Sequence, residues 1–401
     1  MNMKKKTSKK KILLIVLLCV IILAVGGWGM FCVKMYDENF NVRGDSYEPL
    51  MLRLEDFNGL RCREYTFPSD HGQMLAGYLY SVGEDQKGVV VIAHGFGDGG
   101  HNSYMDAANY FARHGWFVFA YDATGTDQSE GDGVGGVPQG VIDLDHAISF
   151  VEAEADLSDL PIVLFGHSWG AYSVCSVLTY HPEVKAVIEC SGFNSSSDMF
   201  ESGGKSQAGG AIFAMTPFVK IYEFFKYGKY AGNTAMDGFA ASDASVMVVH
   251  SADDNVIEIG YGYDKFYRKY KDDPRFTFVR FDDKGHNDIL NDPEDTYKDE
   301  FNAEFDNWLE TLDYDYKAEE NKDRFIADKS EYITKNLDHA RWSSRLDEDL
   351  FASFLEFYDK AIRAKLVYNT KGTVGICRGE KIWTLTFSWL YRISETVQVH
   401  F

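Results

Sequence analysis

A chain of 401 residues is long enough for one large domain of roughly 250 to 300 residues with additions, and 45% apolar with 25% charged residues is the composition of a globular rather than a disordered protein. Six lysines are the only charges before Lys34, so the remainder holds 34 basic and 61 acidic residues, a net charge of −27. Such acidity repels phosphate backbones and anionic headgroups, which argues against nucleic acid as a partner and most simply marks a solvated surface.

Lys4, Lys5, Lys6, Lys9, Lys10 and Lys11 form a basic tail over residues 1–11, and Ile12 to Val33 then runs for 22 residues without a charge. At 1.5 Å per residue that run crosses a hydrocarbon core of ~30 Å, whereas a cleavable signal has an apolar region of ~7–15 residues. Residues 12–33 are therefore predicted to be a transmembrane anchor. Ala24-Val25-Gly26 would also suit a cleavage site, so a removed signal is the competing reading. The lysines favour the cytoplasm, which makes this a single-pass protein of the cell membrane with everything after Val33 outside. The six cysteines show no C-x-x-C and no zinc spacing, and read as small hydrophobes without a disulfide framework.

Strand-like stretches at Arg63–Pro68 and Leu75–Ser81 flank the turn Ser69-Asp70-His71-Gly72 and predict a hairpin. Strand and helix patterns then alternate. Gly88–Ala93 is a buried strand, Asn102–His114 a helix, Trp116–Tyr121 a strand and Gln139–Ala155 a helix. Pro161–Phe165 is a strand, Ala171–Tyr180 a helix and Val184–Cys190 a strand. After an interruption come Ser245–His250 (strand), Gly260–Tyr270 (helix), Arg275–Phe281 (strand) and Asp295–Leu312 (helix). Alternation of this kind predicts a mostly parallel sheet with helices on both faces, an α/β fold occupying residues 61–315. The interruption, residues 193–242, carries Phe218, Ile221, Tyr222 and Phe225 at helical spacing; it reads as a small cap over the sheet's carboxyl edge or as an amphipathic helix packed on the core. Residues 316–365, with Phe351, Phe354, Leu355, Tyr358 and Ile362 on one stripe, are a helical appendage, and 366–401 form a tail to which no role is assigned.

The stretch that carries chemistry is Gly166-His167-Ser168-Trp169-Gly170, a G-x-S-x-G set between a β-favouring apolar run and a helix pattern. A serine on so tight a strand-to-helix turn stands clear of the sheet with a helix N-terminus beneath it. A serine alcohol is a weak nucleophile near neutral pH, so it needs a base, and the base needs a partner to hold its tautomer. Strand ends downstream supply both: Asp253 and Asp254 follow the strand Ser245–His250, and His286 follows Arg275–Phe281.

Four stretches together resemble the α/β-hydrolase family, and most closely its monoacylglycerol-lipase and serine-aminopeptidase-like branch. His94-Gly95-Phe96-Gly97-Asp98 is similar to the branch's H-G-x-G-E oxyanion segment, and Tyr121 to Gly131 to its D-x-x-G-x-G-x-S-x-G loop. The elbow is the third, and His250 to Ile257 resembles H-G-x-x-D-x-x-V, which aligns Asp254 with the acid. The resemblance spans residues 61–312. It implies an α/β-hydrolase fold and a catalytic triad of Ser168, Asp254 and His286, with the backbone N–H groups of Phe96 and Trp169 as oxyanion hole. Thr126, Asp127 and Ser251 depart from the pattern and leave loop shape open.

Asp253 competes with Asp254, and Asp198 is a third acid. Of the eleven histidines, His94, His114, His167 and His250 read as structural. Gly95 to Gly100 also fits G-x-G-x-x-G with Asp122 following, as in a dinucleotide site, but that reading leaves the elbow, late acid and late histidine unexplained. No cofactor and no metal is expected. The leading expectation is a membrane-anchored serine hydrolase acting on a small-molecule acyl ester; a peptidase acting on peptide substrates and a non-catalytic binding module are the competitors.

Overall fold

The computed structural model describes residues 9–84, 86–97 and 99–363, together with the backbone of three short strands, Leu366–Tyr368, Val374–Arg378 and Lys381–Leu385. Most of the basic tail, Asp98 of the oxyanion segment and the remainder of the tail 366–401 lie outside the described residues.

The elements in chain order are α1 (Lys9–Phe40), β1 (Arg61–Pro68), β2 (Met74–Ser81), β3 (Val89–Ala93), α2 (Met105–Arg113), β4 (Phe117–Tyr121), α3 (Gln139–Ala153), β5 (Ile162–His167), α4 (Trp169–Ser176) and β6 (Ala186–Cys190). Three helices follow within residues 193–242: α5 (Ser196–Ala208), α6 (Ile212–Tyr227) and α7 (Ala235–Ala241). Then come β7 (Ser245–Ser251), α8 (Tyr263–Tyr270), β8 (Phe276–Phe281), α9 (Tyr297–Leu309), α10 (Lys322–Asn336), α11 (His339–Trp342) and α12 (Glu348–Ile362).

Strands β1 to β8 form one sheet in the order β1, β2, β4, β3, β5, β6, β7, β8, and every pairing from β4 to β8 is parallel. The hairpin β1–β2 adds an antiparallel edge. Alternate residues of the apolar strands enter different layers, because successive Cβ atoms point to opposite faces. Val89, Val91 and Ala93 of β3 join the core beneath α3 and α4, whereas Val90 and Ile92 join the core beneath α2 and α12. Both faces are thus covered, which is why these strands read as continuous apolar runs. Helix α12 supplies much of the second cover: Phe351, Phe354 and Tyr358 are fully buried at helical spacing, and the Tyr358 hydroxyl donates to the Leu164 carbonyl at 2.7 Å.

Helix α1 outruns the uncharged segment. It continues to Phe40, and its last turns bury Cys32, Tyr36 and Phe40. They pack on α6, where the Tyr36 hydroxyl donates to the Glu223 carboxyl at 2.5 Å and the Tyr222 hydroxyl to Asp37 at 2.9 Å. The apolar stretch of the same helix is exposed from Ile12 to Val25, and it is long and apolar enough to cross a membrane.

Candidate active site

Ser168 sits between β5 and α4 with φ 56° and ψ −116°. Backbone so placed is strained for a residue with a side chain, by ~1–3 kcal/mol, and it persists only where its surroundings hold it. Here the Ser168 N–H donates to the Cys190 carbonyl at 2.8 Å, and the neighbouring glycines remove the clashes. A Cβ at Gly166 would stand 2.4 Å from the Gly170 carbonyl oxygen, and one at Gly170 would stand 1.9 Å from that of Ala93. The spacing of the motif is therefore a packing requirement, and its result is a serine raised at the carboxyl edge of the central strand.

The structure brings three of the expected side chains together. Nε2 of His286 lies 2.9 Å from Oγ of Ser168, and Nδ1 lies 2.7 Å from Oδ2 of Asp254. These partners assign the neutral tautomer: Nδ1–H donates to the carboxylate, and Nε2 accepts from the serine hydroxyl. All three residues are buried, at 5–7% exposure. Asp254 also accepts from the N–H groups of Val256 and Ile257 at 2.9 and 2.8 Å, and Nε2 of His250 lies 3.2 Å away. Burial alone would raise its pKa. The hydrogen bonds from His250 and His286 outweigh that and hold the carboxyl well below the usual carboxylate range, so it is ionised wherever the base is at work.

The competing acids are engaged elsewhere. Asp253 accepts from the Ser251 hydroxyl at 2.6 Å and the Gly285 N–H at 2.9 Å, so it shapes the loop before His286 rather than touching the imidazole. Asp198 pairs with Lys265 at 2.6 Å. Asp122, the acid a dinucleotide site would need, is fully buried and occupied by the N–H and Nδ1 of His101 and the hydroxyl of Tyr78. Of the residues that depart from the family pattern, Asp127 binds the N–H and hydroxyl of Ser46 and the N–H of Gly100, while Ser251 holds Asp253.

The other histidines near the site are fasteners. His94 donates from Nδ1 to the Gly95 carbonyl at 2.7 Å and accepts the Ala123 N–H on Nε2 at 2.9 Å; burial lowers its pKa. His167 links two loops: Nε2–H donates to the His286 carbonyl at 3.0 Å, and Nδ1 accepts from the Tyr104 hydroxyl at 2.8 Å. That hydroxyl in turn accepts the Gly95 N–H at 3.0 Å.

Ser168 and His286 open on a cavity of about 430 Å³, whose wall includes Phe96. The Phe96 ring packs edge-on against Trp169 at 5.7 Å, and the Trp169 indole is pinned to the Val137 carbonyl at 2.7 Å. Neither the Phe96 nor the Trp169 N–H donates to another described residue. Among the wall residues that sequence reasoning missed are Phe40 of α1, Asp106 of α2 and Arg345, which the chain returns from far away. Among the described residues one grouping, Glu152, His181 and Glu183, brings three possible metal-ligand atoms within 4.8 Å, but none of these lines the cavity.

The family model described as serine aminopeptidase, S33, matches residues 84–217. A comparison with curated proteins finds no match. Among solved structures, an esterase of Pyrococcus furiosus is 15% identical, with 68% of this chain and 98% of that chain covered and a TM-score of 0.47. An acylaminoacyl peptidase of Pyrococcus horikoshii is 19% identical over 58% of this chain and 38% of that chain, with a TM-score of 0.46. The sheet order, the strained serine turn on β5 and the family match over residues 84–217 together support an α/β-hydrolase fold for this chain.

Proposed function

We propose that the chain is a membrane-anchored serine hydrolase that cleaves carboxylic esters through an acyl-enzyme. The observation that carries this reading is the relay of Ser168, His286 and Asp254, with contacts of 2.9 and 2.7 Å at the wall of a cavity. His286 takes the Ser168 proton on Nε2 as Oγ attacks the ester carbonyl, and Asp254 stabilises the imidazolium that forms. The N–H groups of Phe96 and Trp169 receive the oxyanion, a contribution for which one donor is typically worth ~10²–10³ in rate. His286 then protonates the leaving alkoxide, and water, deprotonated by the same nitrogen, releases the acid and restores the serine.

Ester rather than amide is favoured by the apolar lining: Phe40, Met199, Val256, Ile257 and Leu290 all face the cavity. The matched family's description as an aminopeptidase favours the amide, which needs the same triad and a better-protonated leaving group. Labelling with a fluorophosphonate, wild type against Ser168→Ala, separates an active hydrolase from a non-catalytic binding module. Turnover of esters of graded chain length against aminoacyl amides then separates the two chemistries. Labelling that is absent, or unchanged in Ser168→Ala, refutes the nucleophile.

The anchor reading draws on α1 and on the cap. Trp28 Nε1 donates to the Ala214 carbonyl at 3.5 Å, and Phe213, Ile221, Phe224 and Phe225 of α6 are exposed. An apolar helix face next to the end of a span suits the interfacial zone of a bilayer. With the lysines inside, the catalytic domain faces outward. Retention in membranes through a carbonate wash, with digestion by protease added to intact cells, tests this; protection until lysis refutes the orientation.

A further inference from the structure

Arg345 lies in the short connection between α11 and α12, yet it reaches the wall of the cavity that holds Ser168 and His286, where it is the one arginine or lysine among the described residues. Its main chain is laced to the loop that follows His286. The Asp292 N–H donates to the Arg345 carbonyl at 2.8 Å, Asn291 bridges Leu346, and the Asp347 N–H donates to the Leu290 carbonyl at 2.9 Å. Lys284, two residues before the base, pairs with Asp347 at 2.6 Å, and the Trp342 ring lies 4.3 Å from the guanidinium carbon. The position is built rather than incidental.

Within that frame Nε and Nη1 of Arg345 are buried and have no acceptor among the described residues. A guanidinium cannot shed its charge, so buried donors without acceptors are costly unless something else satisfies them. Asp106 shares the wall and its charge reaches Arg345, but the two form no ion pair. The rest of the wall is mixed, with Phe40, Met199 and Leu346 beside the neutral polar side chains of Asn287 and Asn291. We infer that Arg345 binds an anionic group, a carboxylate or a phosphate, carried by the acyl ester that Ser168 attacks. The inference deepens the serine-hydrolase reading and rests on it. It names a substrate class, a small acyl ester with a charged end, which the 430 Å³ of the cavity is large enough to enclose.

The test uses the full chain in detergent and two nitrophenyl esters of equal length, the glutarate monoester with its free carboxylate and the corresponding neutral methyl diester. A charge-assisted contact predicts a kcat/KM ratio of about 10- to 100-fold in favour of the charged ester. Arg345→Gln should bring that ratio towards one, mainly through KM, and Arg345→Lys should keep part of it. Asp106→Asn should increase the ratio, because it removes a like charge facing the anion. A purely structural role for Arg345 depresses both esters together and leaves the ratio in place, which overturns the inference, as does a wild-type ratio near one. If neither ester turns over and fluorophosphonate does not label Ser168, the hydrolase reading fails on its own account. Calorimetry on Ser168→Ala then decides Arg345: binding of glutarate or of inorganic phosphate that is lost in the Arg345→Gln double variant supports it and names the acid, while no binding, or binding indifferent to Arg345, overturns it.

Discussion

Glu223 offers a quantitative test of how α1, the cap and the hydrolase body are joined. The carboxyl is buried on α6 and accepts from Tyr36 of α1 at 2.5 Å and from Ser196 of α5, while the Tyr36 hydroxyl accepts the Val137 N–H at 2.9 Å. Burial raises its pKa from 4.5 to about 7, although the bonds from Ser196 and Tyr36 pull the other way. The folded chain therefore keeps this proton up to about pH 7, whereas the unfolded chain releases it near 4.5. Stability is lost as pH rises through that window, and the full penalty, ~3 kcal/mol, applies above it. Glu223→Gln preserves the shape and an acceptor for both hydroxyls but cannot ionise. Its advantage over wild type should be near zero at pH 4.5 and grow to ~3 kcal/mol by pH 8. Thermal melts of the two detergent-solubilised proteins across that range measure the difference, and other titrating groups cancel between them. A difference that stays flat with pH, or a glutamine variant less stable throughout, refutes the packing of α1 against the cap.

Ser168→Ala should cut turnover of the best ester by on the order of 10⁴ or more without loss of the folded far-UV spectrum, since triad members act as a unit; substantial residual activity in uncontaminated protein counts against the assignment. Asp254→Asn should cost up to ~10⁴ at saturating substrate and Asp253→Asn far less, because only Asp254 touches the imidazole. Equal losses mean that the loop is read in the wrong register. Deleting residues 1–26 should release a folded, active chain from membranes, whereas deletion through Phe40 strips Tyr36 and Phe40 from the core and should leave no stable enzyme; the two are compared by solubility and melting. An active product of the longer deletion contradicts the role given to α1.

The strands and the serine turn were legible because their signals are local. β5 is an apolar run because both its faces are covered, and Gly166 is required by contacts within the turn itself and Gly170 by the adjoining end of β3. Asp254 and His286 were legible through short stretches at strand ends. The extent of α1 was not, because an uncharged run reports the thickness of a bilayer while the helix continues past Lys34, Asp37 and Glu38 to Phe40. Nor were α5 and α7: residues 196–208 hold four serines, a lysine and two glycines, with the weak apolar pattern of a helix that is only partly buried. Arg345 carries no local signal at all. It is one basic residue among many until the chain folds back and Asn291 meets Leu346.

His286, the proposed base, stands on the loop after β8, an edge strand whose residues are half exposed, so the strand alone cannot fix it. Its position comes from ties on either side. Gly285 is held by Asp253, Lys284 by Ser251, and the carbonyl of His286 by Nε2–H of His167. The last tie has an electrostatic condition, because the His167 and His286 rings are only 5.0 Å apart between centroids. A charged His167 would oppose the imidazolium that His286 becomes in the proposed mechanism. Burial, and then the neighbouring His286, push the His167 pKa down to about 3, so it stays neutral throughout the cycle, with its one proton on the nitrogen that donates to His286. The Tyr104 hydroxyl fixes that tautomer from the other side and accepts the Gly95 N–H, next to Phe96. One neutral imidazole thus ties the loop of His286 to that of Gly95 and Phe96, and in the proposed reaction it would do so without placing a second charge beside the base.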